Sequence, residues 1–171
     1  LQAANIAASQ TPAAAGALTL TAGTSAKSVV RSDGATVIQL NTPRAVSITL
    51  VTGGTARAYT VAGYDYYGQA MSEVITSVAA ATTPGKKAFY QIASVTGAGG
   101  GSGTALTVGT TDVFGLPVRC IDAGYVVKVG WNSAILQNAG TFVAADTATA
   151  TTSTGDVRGT FTPTSAADGI K

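Results

Sequence analysis

Asp65 and Glu73 lie eight residues apart across a proposed hairpin, whose glycine-bracketed turn is Gly63-Tyr64-Asp65-Tyr66-Tyr67-Gly68. Two carboxyls held about 5–9 Å apart in a cleft are what a glycosidase needs for acid–base work. Asp112 and Asp122 form a second candidate pair. No sequence feature marks a cleft around either pair, so Asp65 is expected to serve the turn itself through its short polar side chain. A glycosidase using Asp65 and Glu73 stands as the enzymatic alternative. The flanking Tyr64, Tyr66 and Tyr67 carry flat apolar rings with a polar tip, which suits stacking on a sugar or packing in a protein interface. The interface reading is preferred, and Tyr64, Tyr66, Tyr67, Ile6 and Leu18 are the expected partner-binding residues.

Other chemistry is excluded by composition. The chain has no histidine, and Cys120 is the only thiol, which removes Ser-His-Asp and Cys-His catalysis, zinc clusters and intrachain disulfides. Cys120, within Pro117-Val118-Arg119-Cys120-Ile121, is expected as a buried small hydrophobe. The run Gly97 to Gly103 does not fit G-x-G-x-x-G, and no helix pattern follows it to hold a phosphate, so it is expected to be a loop. Gly85-Lys86-Lys87 resembles the end of a Walker A loop, but Ala80 and Lys87 stand where that motif needs Gly and Ser or Thr. It is expected as a charged strand start. No cluster of acidic and amide residues has calcium-loop spacing, and neither a metal nor a cofactor is expected. Trp131 is expected as a plug at the end of a sheet.

The 171 residues suit one domain, and more than half of them are Ala, Thr, Gly or Ser. Hydrophobic residues make up 46%, charged residues 11%, and the net charge is +2. That balance describes a folded, weakly charged chain rather than a disordered one. Its ten Lys and Arg are scattered apart from Lys86-Lys87, so no nucleic-acid partner is expected. The longest uncharged stretches are rich in Ala, Thr, Ser and Gly rather than Leu and Ile, and no membrane partner is expected. No basic segment with a following apolar run opens the chain and no Asn-x-Ser/Thr sequon occurs, so nothing marks it for secretion.

These candidate residues must be positioned by strands. Period-2 alternation predicts strands over Ala17 to Thr21, Thr36 to Leu40 and Ala45 to Val51, and a hairpin pairing Ala56 to Val61 with Ala70 to Thr76. Further strands are predicted over Lys87 to Val95, Ala105 to Val108, Tyr125 to Val129, Ser133 to Gln137, Thr141 to Val143 and Val157 to Phe161. About ten short strands with regular turn signals predict an all-β chain, a jelly-roll-like β-sandwich over 17–171, with residues 1–16 as an extended N-terminal arm. The Ala/Thr-rich segment Asp146 to Thr154 is expected as a loop rather than a domain boundary.

The stretch Tyr59 to Thr76, followed by Lys87 to Thr96, resembles a hairpin-and-strand unit of small virion proteins of tailed bacteriophages. Val108 to Pro117 and Gly155 to Pro163 are similar to the same group, and together these segments cover about a third of the chain. The resemblance is to capsid decoration, or cement, proteins. It implies no catalytic residue, a major capsid protein as partner, a homo-oligomer (dimer or trimer), and a place on the outer surface of the virion's capsid. Under that reading the arm straps neighbours by strand addition. A tail or head-fibre component contacting host glycans through Tyr64 to Tyr67 is the first alternative, and a pilin or surface-layer subunit the second.

Overall fold

The computed structural model describes residues 2–128, 130–131, 134–135, 140–146, 150–151 and 155–165. The chain is all-β: more than half of it is strand, and no α-helix occurs among the described residues. The strands are β1 (Gln2–Gln10), β2 (Gly16–Ala17), β3 (Ala26–Val30), β4 (Thr36–Leu50), β5 (Ala58–Tyr64) and β6 (Ala70–Thr76). They are followed by β7 (Ala81–Gly97), β8 (Leu106–Gly115), β9 (Gly130–Trp131), β10 (Ala134–Ile135), β11 (Gly140–Ala144) and β12 (Gly159–Pro163). Ten of them form one antiparallel sheet in the order β11-β12-β8-β4-β7-β5-β6, with β1 beside β8, β3 beside β4 and β2 beside β7. The sheet curls into a half-barrel, in keeping with the sandwich class expected. β9 and β10 pair separately.

The long central strands β4 and β7 set the curvature. β4 pairs with β7 along its length and changes neighbour on its other edge, from β3 at Thr36–Leu40 to β8 at Arg44–Leu50. Between those stretches, Leu40 to Pro43 bulge out of register with β7, because Pro43 has no N–H to give the ladder. Two strands expected from the sequence are therefore one bent strand. The inner face carries Ile38, Leu40, Val46, Ile48, Leu50, Val61, Phe89, Ile92, Leu106 and Val108, all buried in a single cluster. The predicted hairpin is present as β5 and β6, in register from Ala58↔Thr76 to Tyr64↔Ala70.

The N-terminal arm is extended, as expected, but its partners lie in its own chain. β1 pairs with β8 and buries Ile6 and Ala7 completely. Thr21 N donates to Ile6 O and Gly23 N to Asn5 O, so the segment 18–23 closes over the other side of β1. This geometry corrects two site expectations. Ile6 is fully buried and Leu18 is 7% exposed, so both side chains serve the core and are withdrawn from any partner on the folded chain. It also shortens the strand predicted at Ala17 to Thr21, of which only Ala17 is in a ladder, as the second residue of β2.

Other differences have local causes. Tyr125 to Val129 does not read out as a strand: Asp122 accepts from Gly124 N and caps a 3-10 turn at Ala123–Tyr125, and Val129 lies outside the described residues. Of Ser133 to Gln137, Ala134–Ile135 are strand and the other residues lie outside the description. The strand predicted at Val157 to Phe161 is displaced to Gly159–Pro163, because Asp156 holds the preceding residues in a turn. β3 was not expected; its Lys27 and Ser28 dilute the apolar alternation. Cys120 is half-buried rather than buried, with Sγ 3.4 Å from Asp122 O. Trp131 lies on β9, and its side chain is outside the described residues, as is most of Asp146 to Thr154.

If β1 belongs to this core in solution, Ile6→Ala removes a fully enclosed side chain and lowers the unfolding free energy by about 2–5 kcal/mol. Urea denaturation measures this directly, and an unchanged midpoint would mean that β1 is not seated here.

Candidate functional site

The outer face of the sheet, opposite the core, carries an ordered row of polar and aromatic side chains. Strand register places Lys27 of β3, Gln39 of β4, Gln91 of β7 and Tyr64 of β5 side by side. Gln91 Nε2 donates to Gln39 Oε1 at 3.1 Å, and Gln39 Nε2 donates to the Tyr90 hydroxyl at 3.1 Å. The Arg31 guanidinium lies 3.6 Å from the Tyr64 ring centroid and donates to Gln91 Oε1, so the cation covers the ring and fixes the amide together. β5 and β7 approach closely enough for this because Gly63 has no side chain: a Cβ there would collide with Gln91 O and the Ile92 backbone.

From this row the aromatic surface continues over the tip of the β5–β6 hairpin. The Tyr66 ring lies 5.3 Å from Tyr90 and packs edge to face with Tyr67 at 5.4 Å. Tyr66 and Tyr67 remain 55% and 57% exposed. They are nevertheless held. Asp65 Oδ1 accepts from Tyr67 N at 2.8 Å and from Gln69 N at 2.9 Å, and Gly68 takes the left-handed backbone that closes the turn. The Tyr67 hydroxyl donates to Pro117 O at 2.6 Å, and the Arg158 guanidinium lies 4.7 Å from the Tyr67 ring centroid while pairing with Asp65 Oδ2.

A buried polar network lies beneath this platform. Glu73, the chain's only glutamate, points inward with Met71 and Ile75 and accepts from Lys86 N at 2.6 Å and Lys87 N at 3.1 Å. Lys87 is fully buried and donates Nζ to Gly155 O at 2.6 Å. Asp156 accepts from Ala88 N at 2.9 Å, and its other oxygen caps the turn through Arg158 N and Gly159 N. Burial pushes the Glu73 carboxyl up, with the two backbone donors and the neighbouring lysines pulling back. Burial likewise pushes the Lys87 ammonium down, against the charges of Asp156, Glu73 and Asp146.

The structure therefore brings Tyr64, Tyr66 and Tyr67 together and separates them from Ile6 and Leu18, which lie in the core. Asp65 has the turn role expected of it. Asp65 is engaged by Arg158 and Glu73 by the β7 backbone, so neither carboxylate is presented to a cleft as an acid–base pair would be. Asp112 pairs with Arg44 at 3.3 Å, and Asp122 caps its turn, so that second pair does not form either. Lys87 departs from a charged strand start because β7 continues past it on both sides and turns it inward beside Phe89.

Arg31, Gln39, Tyr90, Gln91 and Arg158 were not singled out from the sequence. The only local signal is one polar residue inside each of two apolar runs, Val37-Ile38-Gln39-Leu40 and Phe89-Tyr90-Gln91-Ile92. What the arrangement can do chemically is recognise: rigid rings, fixed amides and a guanidinium form a surface. No family model, curated protein or solved structure matches the chain.

Two outcomes follow. Arg158→Met leaves the Asp65 carboxylate, 5% exposed, without its cation and is expected to cost about 3 kcal/mol in chemical denaturation. A loss under about 1 kcal/mol would reduce the pair to a surface contact. The second concerns pH. A carboxyl whose folded pKa is raised gives the folded state extra stability below its unfolded value of 4.5, and that stability is lost as pH rises through the folded pKa. The unfolding free energy of wild type minus that of Glu73→Gln is therefore expected to fall as pH rises above 4.5 and then to level off. A difference that stays flat with pH would show that Glu73 titrates as it does in the unfolded chain.

Proposed function

We propose that the chain is a structural virion protein that binds the outer surface of a phage head and cements neighbouring major capsid protein capsomers. One observation carries the reading: an immobilised aromatic platform continues into a segment of exposed apolar side chains. Tyr67 is anchored to Pro117, with Tyr66 packed edge to face against it, and beyond Pro117 the chain exposes Val118 at 66%, Ile121 at 60%, Tyr125 at 67% and Val127 at 88%. That segment is not loose. Leu116 N donates to Gly159 O, Cys120 N to Arg158 O, and Ala145 N to Cys120 O, which clip it to β12 and to the end of β11.

Large apolar groups on an ordered backbone are costly to leave in water and cheap to immobilise against a partner, which is the character of a protein interface. Tyrosine adds wide contact area for few rotatable bonds. The resemblance of Tyr59 to Thr76 and of Val108 to Pro117 to capsid decoration proteins names the partner class, and the platform and the exposed segment lie in or beside those two stretches. The mechanism requires no bond to be made or broken. A ligand that binds assembled shell and not free capsomers stabilises assembly by mass action, more so with every site filled.

The test is cosedimentation with emptied, undecorated heads, then heating the heads with and without bound protein. Saturable binding and a higher rupture temperature are expected, with Tyr66→Ser/Tyr67→Ser weakening binding by at least about tenfold while the protein keeps its β-sheet circular dichroism and a cooperative melt. Binding to host envelopes in place of heads would move the assignment to a tail or fibre component.

A further inference from the structure

Beside Tyr90 the outer face opens into a trough of about 490 Å³, lined by Thr24, Ser25, Lys27, Gln39, Asn41 and Tyr90. We infer that this trough is a binding site for a neutral saccharide, lined by Tyr90 together with the Gln39 and Asn41 amides and the Thr24 and Ser25 hydroxyls. The inference does not depend on the capsid reading. It uses a different part of the outer face, separated from the exposed Pro117–Val127 segment by Tyr66 and Tyr67.

The argument rests on preorganisation and on the kind of groups presented. A flexible pocket must be ordered before it binds a weak, well-hydrated ligand, whereas this one is ordered already. Its far wall is held by Asn5, a polar side chain only 3% exposed, whose Oδ1 accepts from Ser25 N at 3.2 Å. Gly23 N donates to Asn5 O at 3.0 Å, Ala26 N to Gly23 O at 3.2 Å, and Asn41 N to Ser25 O at 3.2 Å, which ties that wall to the β4 bulge. Ser25 Oγ accepts from Gln2 Nε2 at 2.7 Å, so its own O–H is left to donate. The near wall is equally fixed. Gln39 uses one N–H on the Tyr90 hydroxyl and its carbonyl on Gln91, which orients its second N–H. The Tyr90 ring is braced by Tyr66.

The groups presented are hydroxyls, amides and a ring beside the aliphatic Ala26 and Leu40, with Lys27 as the one cation and no carboxylate among the described residues that line the trough. Donors and acceptors beside an aromatic side chain match a sugar, whose hydroxyls take the amides and hydroxyls while its C–H face suits an aromatic ring. A phosphate or sulfate ligand would call for a cluster of cations or backbone N–H groups, and an apolar ligand for a more enclosed and less polar cavity.

Saturation-transfer NMR on the full chain decides the matter, with malto-, cello-, chito- and galacto-oligosaccharides as neutral probes and with sialyllactose and inorganic phosphate as anionic ones. Saturable transfer from at least one neutral oligosaccharide is expected. Tyr90→Ala should weaken it by about tenfold or more. Asn41→Ala, on the exposed rim where folding is not at stake, should weaken it several-fold with an unchanged melting curve. Transfer that survives both substitutions, binding confined to the anionic probes, or no saturable transfer from any neutral probe each overturns the proposal.

Discussion

Charge withdrawn from water, and how it is satisfied, governs the arrangement of the rest of the molecule. Glu73, Lys87 and Asp156 are buried, and each is answered largely by backbone rather than by a second side chain: Lys86 and Lys87 N–H for Glu73, Gly155 O for Lys87, Ala88, Arg158 and Gly159 N–H for Asp156. An unmet charge in such a position costs several kcal/mol, so the backbone segments that meet it are fixed in relation to one another. Those segments are β6 and β7, which follow one another in the chain, and the approach to β12, which lies 68 residues beyond Lys87 at Gly155. The network therefore does what a disulfide does in a small secreted domain, in a chain whose only thiol is Cys120.

The consequence reaches the surface through Arg158 and Asp65. Once Asp156 fixes the turn ahead of β12, Arg158 meets the hairpin tip, pairs with Asp65 and covers the inner side of Tyr67. A tyrosine-bearing turn at a sheet end would otherwise be among the more mobile parts of a fold. Here its two exposed rings are braced from below by ions, from one side by Tyr90 and from the other by Pro117. A low-charge chain rich in Ala, Thr, Gly and Ser has few large side chains to spend on recognition, and it concentrates them on this face.

Much of this was legible in strand periodicity. The alternation in Ala70-Met71-Ser72-Glu73-Val74-Ile75 puts Glu73 on the face of Met71 and Ile75, so its burial could have been read from period 2 alone, and the same holds for Lys87 with Phe89. The hairpin, its turn and the role of Asp65 were equally local. The outer row was not, because Gln39 and Gln91 meet only through the β4–β7 register, and that register depends on a bulge at Pro43 which no local pattern counts. β1 was misjudged for a related reason. Ala, Ser and Gln give it weak alternation, and its burial is decided by β8 and the segment 18–23, which cover it from either side.

The central claim is that the face formed by Tyr66, Tyr67 and the segment after Pro117 is the one that meets the shell. Hydroxyl-radical footprinting with mass spectrometry, on the protein free and bound to heads, addresses it residue by residue. The account predicts strong protection of Tyr66, Tyr67, Val118 and Ile121 on binding, with exposed Val78, at the opposite end of the β5–β6 hairpin from the two tyrosines, oxidised as in the free protein. Protection centred on Val78, with Tyr66 and Tyr67 oxidised as before, would contradict it.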